Sequence, residues 1–407
     1  MQNTTQRSFS FGWKHLWIAS LTLFFTINMN YDWRTGYVAW YGVLALLFVS
    51  YVLAYNAGVS LKNLSFLLWF LSFIVFGLMS IFWCLSESVT MAIVKSLVIY
   101  FVVLLLIQFS INFGTRVDTI LKGYFVATLI NSLYVFLTID VAKLGQEQLG
   151  KHMLESWNGN GIGFMTGQGV LIGYYLLRKA TGKIEKILYL ACIVALSALT
   201  IYTGSRTAFI MLIGELVIYF WLTHPTKVVR NVIVTGIVLI GAFYLVMKVE
   251  SFYNVLGSRL EGLFAMFGGE GKVDSSADIR DVFIRNGKEW FKEKPVLGFG
   301  LNNYKVLNEG ATGRFTYAHN TFIELAVNLG TVGLIWYYSI YAYLIVRLFK
   351  DIKKNSINVF LLSALIASLI SQYGTVSYYD FYQNFLLLLC FFAVQQTRKK
   401  QRTGVEL

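Results

Sequence analysis

Charge is scarce in this chain. Asp, Glu, Lys and Arg make up 14 % of the 407 residues, where a soluble globular chain averages about 25 %. Hydrophobic residues make up 57 % against about 45–50 %, and mean hydropathy is +0.61. These values exclude a soluble globular domain and indicate an integral membrane protein. Cysteine is limited to Cys84, Cys192 and Cys390, all inside apolar runs without paired spacing, so no disulfide framework or metal site is implied. They suit small core positions. No Asp-x-Asp occurs, and His and Cys are too few and scattered for a transition-metal site. The expected chemistry therefore uses no metal or cofactor. Internal repeats, low-complexity linkers and a cleavable leader are not evident, and the first apolar run behaves as a retained helix.

What is present is a series of long apolar runs. Segments of about 17–25 apolar residues are long enough to cross the hydrocarbon layer, and about twelve can be placed. They begin near Trp17, Tyr37, Leu64, Met91, Ile120, Gly161, Ile187, Thr207, Val229, Thr321, Ile357 and Gln383. The net charge of +13 is no nucleic-acid footprint, because the basic residues cluster in short connections as orientation determinants. Arg178, Lys179, Lys183 and Lys186 form one cluster, and Lys227 with Arg230 a second. Arg347, Lys350, Lys353 and Lys354 form a third, and Arg398, Lys399, Lys400 and Arg402 a fourth. All four share one side when both termini are cytoplasmic.

The expected organisation is an all-α membrane protein in three parts. Residues 1–248 carry helices one to nine, 249–319 form a large extracytoplasmic loop, and 320–407 carry helices ten to twelve with a basic cytoplasmic tail. The loop, the turn at Thr203-Gly-Ser-Arg206 and the turn at Tyr378-Tyr-Asp-Phe381 then all face outward. Within the loop, Ile279, Val282, Phe283, Trp290 and Phe291 alternate with charges, which suits an amphipathic helix lying along the membrane. Pro295-Val-Leu-Gly-Phe-Gly300 ends it in a glycine turn.

The outward pieces hold the residues suited to chemistry. His319 stands where the polar loop returns to an apolar helix, and imidazole is the side chain that titrates nearest neutrality. It is a candidate base for an attacking hydroxyl, or else a helix cap or a contact to a lipid phosphate. Asn320 is the better N-cap. Glu324, close to one turn onward, is placed to orient or charge-tune the imidazole. Arg206 follows a Gly-Ser turn at a helix mouth, either snorkelling to headgroups or clamping a phosphate through its forked guanidinium. Arg280 and Arg285 sit five residues apart, about 140° around a helix, so they cannot serve one site together. Arg285 lies four residues after Asp281, the spacing of a surface ion pair. Arg280, beside Ile279, Phe283 and Ile284, is the preferred second clamp. Asp380 among Tyr378, Tyr379 and Tyr382 either holds a sugar or belongs to an interfacial tyrosine belt. Glu215 is an acid deep within a span and carries no assignment. Gly159-Asn-Gly-Ile-Gly163 lacks the preceding strand of a dinucleotide loop, which leaves tight helix entry as its account.

Three pieces together resemble the O-antigen ligase and Wzy-type polysaccharide polymerase superfamily of bacterial membrane glycosyltransferases. They are Thr203-Gly-Ser-Arg-Thr207, Arg280 followed by Pro295-Val-Leu-Gly-Phe-Gly-Leu-Asn-Asn-Tyr304, and His319-Asn-Thr-Phe-Ile-Glu324 continuing to Gly330 and Gly333. One departure is the absence of proline in Trp157-Asn-Gly-Asn160, where family members often carry Asn-Pro-Asn. The resemblance implies a GT-C-like enzyme of the bacterial cytoplasmic membrane, with an undecaprenyl-diphosphate-linked oligosaccharide as donor. His319, Arg206 and Arg280 become the catalytic set, with Tyr317, Asn320, Glu324, Arg285 and Asp380 as substrate-binding candidates. A polymerase of lipid-linked repeat units leads, a ligase to lipid A core or protein follows, and a lipid-glycan flippase is the alternative of another class. Membrane lipid, a chain-length regulator and a flippase are the expected partners, and nucleic acid is not.

Overall fold

The computed structural model describes residues 12–30, 36–140, 143–146, 149, 159–266, 275–353 and 355–403. Trp157 and Asn158, and Lys354 of the third basic cluster, lie outside them. Among the described residues the secondary structure is helical, with no β-strand. A helix covers or begins near each of the twelve expected starts: α1 Trp13–Met29, α2 Tyr37–Tyr55, α3 Ser65–Met79, α4 Glu87–Asn112, α5 Val117–Thr138, α6 Gly159–Lys179, α7 Lys183–Tyr202, α8 Arg206–Thr223 and α9 Val228–Lys248 open the chain. Three shorter helices follow, α10 Ser258–Met266, α11 Ser275–Glu293 and α12 Tyr304–Thr312. The last are α13 Thr321–Lys350, α14 Ser356–Ser371 and α15 Phe381–Thr403.

By length and composition, eight of these helices suffice to cross a membrane: α2, α3 with the turn that extends it to Phe82, α4, α5, α7, α8, α9 and α13. The other four fall short for separate reasons. Helices α1 and α14 have 17 and 16 residues. Helix α6 is interrupted by glycines and polar residues, and α15 runs into Arg398-Lys-Lys-Gln-Arg402.

The fold divides into two compact units. One takes residues 1–62 and 106–137, the other 63–105 and 138–407. In the first, the aromatic face of α1 is buried, and Trp17 meets Tyr51 of α2 edge-on at 5.4 Å. Gly123 lets α5 approach α1 so closely that a Cβ there would lie 2.6 Å from Thr22. Asn131 then donates to the carbonyl of Thr26 at 3.0 Å.

The second unit depends on a broken helix. Asn320 caps α13, its Oδ1 accepting from the amide of Ile323 at 3.0 Å, and the helix runs until Gly330. There the backbone turns to φ 63°, ψ −166°, a conformation open in practice only to glycine. A break at this depth frees amides and carbonyls that hydrocarbon cannot satisfy. The segment Pro295–Gly300 satisfies them. Pro295 and Val296 offer carbonyls to the amides of Thr331 and Val332 at 2.8 and 3.3 Å. In return the amides of Phe299 and Gly300 donate to the carbonyls of Val327 and Asn328 at 2.9 and 2.8 Å.

Such an approach leaves no room for side chains. A Cβ on Gly298 would lie 2.4 Å from the carbonyl oxygen of Val327, and one on Gly330 would lie 2.2 Å from that of Val296. Beyond the stitch, Leu301 donates its amide to Ser80, and Asn303 accepts from the amide of Ser86 while donating to Thr90. Trp83 closes the set with a 3.1 Å bond to the carbonyl of Leu297. The segment 295–303 is thus sewn to the junction of α3 and α4 on one side and to α13 on the other.

Helix α11 departs from its expected setting. Its stripe of Ile279, Phe283, Trp290 and Phe291 is covered by Tyr304, Ala318, Ile323 and Val327 of the same unit, not laid against lipid. Amphipathicity alone does not distinguish a membrane surface from a neighbouring helix. Gly287 makes the packing possible, since a Cβ there would lie 2.3 Å from the side chain of Ile323.

Substituting Gly330→Ala or Gly298→Ala is expected to lower stability in detergent by roughly 2 kcal/mol or more, through both strain and collision. Gly161→Ala, where a Cβ meets nothing within 4 Å, should stay within about 0.5 kcal/mol. Thermal unfolding of the three variants checks this, and an unchanged transition for Gly330→Ala would contradict the stitch.

Candidate active site

Of the expected site residues, Arg206, Asn320 and Asp380 stand where α8, α13 and α15 begin, while Arg280 and Arg285 lie on α11. The turn joining α14 to α15 links the three openings. Its Gln372 carbonyl accepts from the amide of Thr321 at 2.8 Å, and its Tyr373 carbonyl accepts from Asn320 Nδ2 at 3.2 Å. A Cβ on Gly374 in the same turn would lie 2.8 Å from Thr207. Arg206, Asn320 and Asp380 therefore stand at three helix openings around one turn, where the helix dipoles add positive potential.

His319 precedes the cap of α13 in the left-handed region, at φ 53°, uncommon for a residue with a side chain. Its neighbours hold it there. Asn320 caps on one side, and on the other the amide of Ala318 donates to Glu324 Oε2 at 2.8 Å. The ring lies nearly parallel to Phe283 of α11, with centroids 6.3 Å apart, and 4.2 Å from the ring of Tyr317. Burial, with the positive charge of Arg280 as a second cause, pushes the imidazole down to about 4. At neutral pH it is unprotonated and able to accept a proton. Arg280 is thus close enough to act on the histidine electrostatically.

Glu324 accepts from the amide of Ala318 and, at 3.5 Å, from the hydroxyl of Tyr378, so it holds the loop backbone beside His319. Asn328 continues this buried chain, donating to Tyr378 at 3.1 Å and accepting from the amide of Tyr304 at 2.7 Å. Tyr304 in turn donates to the carbonyl of Phe283 at 2.8 Å. One polar line runs from the stitch to the ring that stacks on the histidine.

The arginines separate as their spacing indicates. Arg285 pairs with Asp281 at 3.0 Å, both side chains largely exposed, an ordinary surface ion pair worth about 0–1 kcal/mol. Arg206 is buried and opens α8 behind Ser205, whose Oγ accepts from the amide of Ala208 at 3.2 Å. A cation at a helix N-terminus opposes the dipole, so this placement favours an incoming anion. A third guanidinium, not singled out in the sequence, belongs here. Arg259 of α10 donates to the carbonyl of Gly204 at 2.6 Å, and its own carbonyl accepts from Arg206 at 3.4 Å.

The glycine motif before α6 serves this same turn. Asn160 Oδ1 accepts from Ser205 Oγ at 2.6 Å. A Cβ on Gly163 would lie 2.6 Å from Ala208, and one on Gly159 would lie 2.6 Å from the carbonyl of Leu149. Close helix entry is therefore its role, and Asn160 supports the Arg206 turn.

In the last outer turn Tyr378 is fully buried and committed to Asn328 and Glu324, so it is not part of a surface belt. Tyr379 meets it at 4.7 Å and lies beneath Lys305, 5.6 Å from the ring. Asp380 is exposed and accepts the first backbone bond of α15 from Asn384. Among the described residues no three His, Cys, Asp or Glu side chains gather as metal ligands. The charge at the opening of α8 is an arginine, a donor shaped for phosphate, and that at the opening of α15 is the carboxylate of Asp380.

Residues 191–338 match the model of a family described as O-antigen ligase. The matched third of the chain contains the Thr203–Arg206 turn, Arg280, the stitch and the His319–Glu324 block. No curated protein matches the sequence.

Acylation by diethyl pyrocarbonate, which requires neutral imidazole, should proceed at His319 down to about pH 5, well below the usual histidine midpoint of about 6.5. Arg280→Gln removes one of the two causes and should raise the midpoint. The sign for stability follows: below about 6.5 the unfolded chain takes up the proton first, so stability falls as pH drops towards the folded value. A midpoint near 6.5 in the unaltered protein would refute the placement.

Proposed function

We propose that the protein is a metal-independent glycosyltransferase of the bacterial cytoplasmic membrane. It takes a glycan from an undecaprenyl diphosphate carrier and passes it to a sugar hydroxyl on the outer face. The observation that carries this reading is the pairing of a neutral, buried imidazole before α13 with Arg280 of α11. The turn between α14 and α15 joins the start of α13 to the start of α8, where Arg206 stands. His319 accepts the proton of the attacking hydroxyl, a contribution of about 10²–10⁴-fold. The hydroxyl oxygen bonds to the anomeric carbon as the bond to the lipid diphosphate breaks. Arg206 and Arg280 take up the charge that develops on the departing diphosphate. The stored energy lies in the donor, so no nucleotide sugar takes part.

Twelve spans, with both termini cytoplasmic, put residues 249–319 and the helix openings outside, where lipid-linked glycans are consumed. Within this reaction class the protein joins oligosaccharide repeat units into capsule, O-antigen or exopolysaccharide, alongside a flippase and a chain-length regulator. The match of residues 191–338 to a family described as O-antigen ligase favours a second reading, a ligase that delivers the finished glycan to a different acceptor. Gathering of the polar residues at one end, not at a midplane site between repeats, supports an enzyme over a transporter.

Purified protein given lipid-linked repeat units and a chelator is expected to lengthen the glycan and release undecaprenyl diphosphate. His319→Ala should lower turnover by at least about 10²-fold with donor binding largely kept. Arg206→Lys should lower it by about tenfold or more, since one ammonium cannot reproduce a forked contact. Full activity in both variants would remove the assigned roles. Transfer only to an added lipid A core or protein acceptor would select the ligase.

A further inference from the structure

One cation near the base has no task so far. Lys305 is the second residue of α12, and the start of that helix is pinned from two sides. Asn328 Oδ1 accepts from the amide of Tyr304 at 2.7 Å, while Asn303 joins Ser86 and Thr90. From this fixed root the ammonium reaches over the ring of Tyr379, 5.6 Å from its centroid, within the range of a cation–π contact. Its charge is also felt by Glu324. Tyr379 connects the lysine with the histidine. Burial first, then Glu324, Tyr378, Asp380 and Tyr317, hold the Tyr379 phenol well above its ordinary range, so it stays a neutral hydrogen-bond donor. Tyr317 in turn meets the ring of His319 at 4.2 Å. Lys305, Tyr379, Tyr317 and His319 are half-buried and Asp380 is exposed, so the row is open on one side.

What this row lacks is an anion. Among the described residues Lys305 makes no ion pair, and the first turn of α12 carries no acid. An ammonium there adds to the positive end of the helix dipole, a placement that an incoming anion would offset. Two phenol rings with a carboxylate beside them suit a ring that is apolar on its faces and hydroxylated at its rim. We propose that Lys305, Tyr379 and Tyr317 seat an acidic sugar of the acceptor glycan, with its carboxylate on Lys305 and its attacking hydroxyl turned to His319. The proposal rests on the transferase reading above and adds the chemical class of the acceptor. A lysine suits the task. Its compact charge on a flexible stem can follow a carboxylate, whereas forked guanidinium groups suit the diphosphate at Arg206 and Arg280. Asp380 repels a carboxylate and accepts from hydroxyls, which orients the sugar with its acid towards Lys305.

Two probes test this: a trisaccharide ending in glucuronic acid, and the same trisaccharide with that carboxyl reduced to the alcohol. The acid should bind the purified protein at least about fivefold tighter, and raised salt should shrink the difference. Lys305→Gln should abolish the difference, and Lys305→Arg should keep part of it. The ratio in the unaltered protein decides even where a variant folds poorly. The bound acid should also shield His319 from diethyl pyrocarbonate, which places it beside the base without any turnover. Binding of undecaprenyl diphosphate should be equal in Lys305→Gln and the unaltered protein. Equal affinity for acid and alcohol, or an unshielded His319, would overturn the acid subsite. So would loss of undecaprenyl diphosphate binding in Lys305→Gln, which would give the ammonium to the donor. Acid-selective binding that shields His319, without glycan transfer from any lipid-linked donor, would instead remove the transferase reading and leave the sugar site standing.

Discussion

The break in α13 at Gly330 is the constraint on which the second unit depends. A helix inside a bilayer cannot leave amides and carbonyls open, because neither lipid nor water is there to meet them. Here the groups freed at Gly330 are met by the backbone of Pro295–Gly300. The exchange is reciprocal, with carbonyls given to one side of the break and amides to the other. Two glycines at the contact points, Gly298 and Gly330, let the two backbones touch. Next to the stitch, Asn328 holds the amide of Tyr304, whose hydroxyl in turn holds the carbonyl of Phe283.

The site is positioned by that scaffold, not by contacts to the imidazole itself. Glu324 fixes the loop through the amide of Ala318, Asn320 fixes the start of α13, and Phe283 supplies a flat apolar surface for the ring. A histidine so enclosed loses its affinity for protons through desolvation, and the guanidinium of Arg280 adds to the effect. The arrival of an anion at Arg280 would weaken the second cause. The imidazole would then gain basicity when an anion is present.

Much of this was legible in the amino acids. Apolar runs locate twelve of the helices, because hydrophobic length is a strong signal with a simple cause, while α11 shows itself by its amphipathic pattern. The block from His319 to Glu324 marks the site because a titratable residue at the edge of a span has few structural uses. Arg285 separates from Arg280 by angle alone. What could not be read is tertiary. The apolar stripe of α11 suits a lipid surface and a protein surface equally, and only Gly287 marks a close neighbour. Arg259 is an ordinary basic residue until Gly204 comes within 2.6 Å. Tyr378 looks interfacial until its hydroxyl is found between Asn328 and Glu324. Gly298 and Gly330 stand far apart in the chain, and their complementarity appears only when both backbones are in place.

The direction of the stitch also bears on how the protein is made. Pro295–Gly300 precedes α13, so a chain emerging from its N-terminus presents the mending strand before the gap it mends. The interrupted helix, when it enters the bilayer, meets a partner already waiting and need not pass through a state with bare peptide groups in oil. Moving residues 295–300 to a position after α13, as a circular permutation would, reverses that sequence of events while conserving every final contact. Synthesis order is in this sense part of the architecture.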